Sequence, residues 1–488
     1  MNPNLYAVLA ERFSAHAGGV CLELEDGKQY TYADVEAESA RYANLLVSLG
    51  LQRGDRVAVQ VDKSERSVFL YLGCLRAGMV YLPLNTAYQQ GEIAHFVADA
   101  QPRAAFCRPQ AAPWFQGVPH RLSLDAAAGQ PASFATVSSK ADDLACIVYT
   151  SGTTGRSKGA MLSHGNLSSN ALALHGYWRF QPGDVLLHAL PLFHVHGLFV
   201  ALHTALLNAS RILFLPRFDA APILELLPRA TVFMGVPTYY VRLLAEPTLT
   251  RDLCKGMRLF VSGSAPLAQD TFREFKERSG HTILERYGMT ETGMNTSNPY
   301  DAERRAGTVG FPLPGVEVRV AGQGDRALGP GQIGQIQVRG PNVMSGYWCL
   351  PERNKEEFTG DGFFRTGDLG QFDAEGYLSI VGREKDLVIS GGYNIYPKEV
   401  EMLLEEMPGV LEAAAFGVPH ADFGEALHVA VVARPGASLT EQAVISHVKN
   451  KLANFKVPKR VVFLPELPRN TMGKILKNEL RAKHRGAS

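Results

Sequence analysis

The stretch LACIVYTSGTTGRSKGAMLSH, residues 144–164, restricts the possible folds more than any other part of the chain. Residues 144–149 form a short apolar run, which predicts a buried strand. The run empties into Thr150, Ser151, Gly152, Thr153, Thr154, Gly155, Arg156, Ser157, Lys158 and Gly159, after which Ser163 and Asn166 predict the opening of a helix. Glycines let a backbone come close to an anion, while hydroxyls and backbone N–H groups donate hydrogen bonds. With Arg156 and Lys158 adding positive charge, the segment predicts a polyphosphate cradle at the carboxyl end of a strand. It is not a Walker loop, because GxxxxGK[ST] fits it in no register.

A strand in that position calls for a parallel α/β frame, and the flanking sequence supplies one. Val35, Tyr42, Leu46 and Leu49 share a helical face that Thr31 can cap and Gly50 can end. Strand 56–61, helix 64–77 and strand 79–84 follow. A second series runs through strands 211–215, 231–236, 257–262 and 282–285, with helices 221–227, 238–244 and 268–278 between them. Two such series predict two packed α/β halves.

From Gly315 the texture shifts to period-two strands, 316–320 and 333–338, a small β-barrel-like part. The turn Gly322-Gln323-Gly324 mimics a dinucleotide fingerprint, but no helix follows it, so a hairpin is expected. Residues 1–384 then make one large domain and residues 385–488 a small mobile α+β domain. In the latter, Pro397 starts a helix with Val400, Leu403, Leu404 and Met407 on one face. Segments 413–418, 427–433 and 461–464 read as strands, and Ser438 with Glu441 suggests a capping box for the helix carrying Val444, Ile445, Val448 and Leu452.

Composition narrows the partners. With 49 basic and 48 acidic residues the net charge is +1, so nothing recommends nucleic acid or an anionic membrane, and any anion site must be local. The six cysteines are scattered without a CxxC pair, which fits a reduced, cytoplasmic setting. The opening MNPNLYAVLAERF lacks the apolar core of a signal peptide, and the apolar stretch 197–207 is broken by His203 and too short to span a bilayer.

The phosphate-loop string resembles the signature of the acyl-adenylate-forming superfamily, and later motifs extend the resemblance over nearly the whole chain. Tyr287-Gly288-Met289-Thr290-Glu291 matches the YGxTE motif, which implies that Thr290 contacts the α-phosphate and Glu291, with Thr153, holds Mg²⁺. Asp368 in Thr366-Gly367-Asp368-Leu369-Gly370 matches the residue that accepts from the ribose hydroxyls, and a carboxylate suits a vicinal diol. The resemblance further implies ATP contacts at Ser264 and Arg383, a hinge at Lys385, and a CoA tunnel at Ser390, Gly391 and Gly392. Many relatives carry Asp at the hinge, so Lys385 bears on closure rather than on chemistry. Pro468 to Lys474 resembles the segment of the catalytic lysine, whose ammonium would steady the attacking carboxylate and the α-phosphate. That segment, with its proline six residues ahead, also resembles targets of protein lysine acetyltransferases.

Phe193-His194-Val195-His196-Gly197 matches the motif that lines the acyl pocket, and Gly263 falls beside it. Arg286 departs from the common pattern, in which a small residue precedes the Tyr. A planar fork of donors there wants a second carboxylate, and neighbouring Glu285 should point to the opposite face of the strand. The resemblance is therefore strongest to the branch that activates malonate, with methylmalonate a further substrate, using ATP, Mg²⁺ and coenzyme A. A synthetase for another short-chain acid, an adenylation enzyme loading a carrier protein and a non-catalytic nucleotide-binding protein are the alternatives. The last has no use for Glu291, Asp368 and Lys474 together.

Overall fold

The computed structural model describes residues 2–150, 157–390, 393–420, 423–470 and 473–484. The first half is a six-stranded sheet in the spatial order His120–Leu122, Ala104–Cys107, Arg56–Gln60, Val80–Pro83, Leu144–Thr150, Lys158–Ser163. Its first five strands run parallel, and Val80–Pro83 and Ala104–Cys107 are buried at every position, as strands covered on both faces must be. The covering helices Tyr32–Ser48 and Glu65–Ala77 are both capped as their sequences require, by Thr31 with Asp34 and by Ser64 with Ser67. They press so close at Gly73 that a Cβ there would lie 2.6 Å from Cβ of Tyr42.

The second half is a nine-stranded sheet. Its order is Phe311–Pro312, Gly293–Ser297, Leu284–Met289, Leu259–Ser262, Val232–Gly235, Val185–His188, Arg211–Phe214, Val20–Leu24, Gln29–Thr31, parallel in the middle and antiparallel at both edges. Strand Leu284–Met289 is longer than the expected 282–285 and carries the Arg286-Tyr287-Gly288 tripeptide. One apolar core spans the two halves, with Tyr71 from the first and Leu186, Val232 and Leu284 from the second.

Two expectations need correction. The loop after residue 150 does not lead straight into a helix. Lys158–Ser163 pairs antiparallel with Leu144–Thr150, so a strand the sequence did not announce precedes helix His164–Tyr177, which Ser163 and Asn166 cap as expected. The helix at Glu441–Lys449 is capped by Thr440, whose side chain accepts from the N–H of Ala443, while the Glu441 carboxylate takes the N–H of Val461 instead of closing a box with Ser438.

Glu317–Ala321, Gly334–Arg339, Phe364–Phe372 and Leu378–Arg383 form the small β part, an antiparallel sheet, and the turn at Gly322 joins its first two strands as a hairpin. The C-terminal unit has its own sheet, Tyr393–Ile395, Val388–Ser390, Gly424–Ala433 and Val410–His420, with Arg460–Phe463 parallel to Gly424–Ala433. Its separate core gathers Val388, Val400, Leu404, Val429 and Val444. Among the described residues no helix is long and apolar enough to cross a membrane.

Candidate active site

The Thr290-Glu291 pair sits where strand Leu284–Met289 turns back into Gly293–Ser297. The reversal is so tight that a Cβ on Gly288 would lie 2.1 Å from the carbonyl oxygen of Gly293, which leaves glycine as the residue that fits. Asn342 fastens the turn by donating to the Thr292 carbonyl at 2.7 Å, and Met344 N–H donates to the Glu291 carbonyl at 2.8 Å. The Glu291 carboxylate is buried, and its Oε1 accepts from the Tyr347 hydroxyl at 2.9 Å and from Thr150 Oγ1 at 3.4 Å. Thr150 ends the strand that leads into the phosphate loop, so this carboxylate faces the loop's entrance. Ser151, Gly152, Thr153, Thr154 and Gly155 lie outside the described residues. A buried carboxylate there is the kind of ligand a hard divalent ion takes. Lys158 is engaged elsewhere, 3.2 Å from Glu357 and over the Tyr347 ring.

Adjacent strands bring the nucleotide-binding candidates together. Asp368 and Arg383 are cross-strand partners, 3.0 Å apart between Oδ1 and Nε, and the Tyr287 hydroxyl donates to the other oxygen of Asp368 at 2.6 Å. Thr366 Oγ1 receives the Asp368 N–H at 3.1 Å. Lys474 comes in from the C-terminal unit, where the Asn470 side chain holds its backbone N–H at 2.9 Å. Neighbouring Gly473, with φ 75°, lies against Thr238 of the second half. Burial, helped by the charges of Arg383 and Lys385, brings the Lys474 ammonium down to about 8, and Asp368 and Asp386 oppose that drop. Burial also lowers Lys385, whereas Asp368 holds Arg383 firmly protonated.

The acyl-pocket candidates meet around Arg286. Its guanidinium lies flat against Gly263, where a Cβ would come within 2.4 Å of Cζ, so Gly263 makes room for the arginine. Arg286 is only 3% exposed, and its Nε and one terminal nitrogen have no hydrogen-bond partner. Burial lowers it to about 9. Glu285 turns away, as strand alternation requires, and accepts from the Leu267 N–H at 3.1 Å. Burial pushes its carboxyl up to about 7. His194 and His196 share the space with Arg286. Burial, reinforced by the arginine's charge, lowers His194 to about 4 and His196 well below the ordinary range, so both rings are neutral at pH 7. His196 Nδ1 is 3.3 Å from Ser264 Oγ, while its Nε2 is buried and unpartnered. Ser264 holds a φ of 71°, a left-handed backbone unusual for a residue with a side chain. These three neighbouring buried nitrogens, without partners among the described residues, are an invitation to an acceptor, since buried polar groups are nearly always satisfied.

Ser390 ends strand Val388–Ser390 and pairs with Gly424, while Gly391 and Gly392 lie outside the described residues. Beside them Ile389, Tyr393 and Phe423 are exposed, and Tyr393 stacks on Phe455. Sequence reasoning passed over Tyr347 and Tyr240, which packs near Arg286 and donates to the Val261 carbonyl at 2.6 Å. Neither carries a local signal, because each owes its place to tertiary contacts.

Malonate–CoA ligase of Arabidopsis thaliana is 34% identical over 518 residues, spanning 93% of this chain and 85% of that protein. ATP-bound MatB from Rhodopseudomonas palustris superposes with a TM-score of 0.97 at 53% identity, covering 99% of both chains. The apo form of the same protein, at the same identity and coverage, gives 0.86. With sequence held constant the gap lies in shape, and the present chain is arranged like the ATP-bound form. The profile of the AMP-binding enzyme family matches residues 9–348 and that of the AMP-binding enzyme C-terminal domain matches residues 399–474, so the chain belongs to the AMP-binding enzyme family.

Proposed function

We propose that the protein ligates malonate to coenzyme A at the expense of ATP, through malonyl-AMP. The observation that carries the substrate is the buried, unpartnered guanidinium of Arg286 beside the free Nε2 of His196. A malonate dianion reacts through one carboxylate and needs a place for the other. A planar donor fork with a neutral imidazole alongside is such a place, and an alkyl tail would leave those donors unsatisfied. Methylmalonate presents the same two carboxylates and is a second candidate.

In the first half-reaction Asp368 accepts from the ribose hydroxyls, with Arg383 and Tyr287 holding its carboxylate in place. Thr290 donates to the α-phosphate, and the protonated amine of Lys474 lies between that phosphate and the attacking carboxylate, where it neutralises the charge that builds up. Mg²⁺, bound through Glu291 and Thr153, would add charge neutralisation at the phosphates. The carboxylate oxygen bonds to phosphorus and pyrophosphate leaves. In the second half-reaction the CoA thiol displaces AMP. The resemblance implies that Lys474 and the segment after Ser390 belong to opposite faces of a mobile domain, so residues 385–488 turn about Lys385 relative to residues 1–384 between the two steps.

The test is a coupled assay over mono- and dicarboxylic acids that reads AMP release with and without CoA. Malonate leading the panel with CoA required for turnover supports the reading, and a monocarboxylic acid leading it replaces malonate by that acid. A protein lysine acetyltransferase acting on Lys474 would silence adenylation by removing the ammonium. Since Lys474 is tucked between the units here, such an enzyme would need the turned-out arrangement. The free thiols of all six cysteines suit a reducing, cytoplasmic compartment.

A further inference from the structure

Lys63 follows strand Arg56–Gln60 of the first half and belongs to none of the motifs above. Its ammonium reaches across to the second half, 2.8 Å from Nδ1 of His188 and 2.9 Å from the His188 carbonyl oxygen, and lies over the Phe214 ring. His188 closes strand Val185–His188, and its Nε2 is 2.9 Å from the carbonyl oxygen of Gly197. A carbonyl can only accept, so Nε2 carries the proton and Nδ1 accepts from Lys63. Burial, together with the charge of Lys63, keeps the imidazole neutral.

Gly197 immediately follows His196 in the wide helical turn His196–Leu202. Its backbone is wedged so closely that a Cβ would come 2.2 Å from the Pro191 carbonyl oxygen. The backbone is thus held at the residue after His196, whose ring lies 3.3 Å from Ser264 Oγ and feels the charge of Arg286. Lys63 also lines a cavity of about 620 Å³ between the halves, whose wall includes Pro191, Leu192 and, from the acyl-pocket motif, Phe193. The chain from Lys63 through His188 to the Gly197 carbonyl is made of hydrogen bonds and covalent bonds.

We propose that Lys63 is a positioning residue for acid recognition: through His188 it fixes the Gly197 carbonyl and so holds the His196 ring against the distal carboxylate of the substrate. This deepens the malonate reading and rests on it. Lys63→Met should raise KM for malonate about tenfold, the worth of one buried hydrogen bond, and leave KM for ATP within about twofold. His188→Leu should do the same. The double variant should be no worse than His188→Leu alone, because residues acting in series do not add. His188→Gln should recover most of the loss, since its amide can both accept from Lys63 and donate to Gly197.

A lysine that merely packs would shift malonate and ATP constants together, or give additive losses, and either result overturns the proposal. If Lys63→Met fails to fold, the contrast between His188→Gln and His188→Leu decides alone, and equal malonate constants in that pair overturn the proposal too. The wild type in the same assay separates the two claims. If it does not use malonate, the substrate reading fails, and if it does while Lys63→Met matches it, only the positioning role fails.

Discussion

At the nucleotide end Asp368 is met by Arg383 and Tyr287 of its own chain, and Lys474 completes the group from the C-terminal unit. At the acyl end Arg286 is as deeply buried but has no such company. Two of its nitrogens and one of His196 are unsatisfied. The first arrangement can wait for ATP at little cost, because Asp368 already has Arg383 and Tyr287 as partners. The second is incomplete until a substrate brings a negative charge, and burial has already stripped the arginine of water. On the function proposed, recognition of the common substrate rests on groups already in order, whereas choice among acids rests on a vacancy of charge.

Removing charge at each end puts this contrast at risk. Arg286→Gly should lower kcat/KM for malonate by about a hundredfold to several thousandfold, from the roughly 3 to 5 kcal/mol that losing one partner of a buried pair costs, and should admit butyrate. Arg286→Lys should recover only part of it. Wild-type malonate kinetics in the glycine variant would show that the acyl end does not select by charge. Lys474→Ala should slow malonyl-AMP formation about a hundredfold to a thousandfold while sparing thioester formation from supplied malonyl-AMP. Equal damage to both half-reactions would mean that the lysine serves the fold and not one step.

Acidity offers a subtler probe. In the role proposed for it Lys474 acts protonated, and burial brings it down to about 8, below the ordinary lysine range. Adenylation by the free enzyme should therefore decline by about tenfold per pH unit above that point, ahead of the loss of Arg286 charge at about 9. A flat profile to pH 10 would place the critical proton elsewhere. Smallest of all, Tyr393→Ala should raise KM for CoA by about fivefold through lost stacking and leave adenylation alone. A change in adenylation instead would tie that exposed ring to the first step.

Much of this could be read from residues alone, and the reasons are local. Strands such as Val80–Pro83 and Leu259–Ser262 are apolar at every position or nearly so, which announces a parallel sheet without help from the rest of the chain. Strand Lys158–Ser163 was hidden because its character comes from pairing with Leu144–Thr150, and its own lysine, glycine and serine look like loop. The choice of Thr440 over Ser438 depended on where Glu441 found a partner, and that partner, Val461, is distant in sequence. Within the site, Asp368, Glu291 and Arg286 stand in recognisable strings. Tyr347 and the Lys63–His188 pair do not, since 56 and 125 residues separate the members of those contacts.

Ser264 carries a last implication, for heat tolerance. A serine at φ 71° forgoes about 1 kcal/mol that glycine would not, and its hydroxyl lies within reach of His196. Ser264→Gly is accordingly the kind of substitution that a screen for thermostability would collect, and the variants it enriched would be sturdier enzymes that tell one acid from another less well.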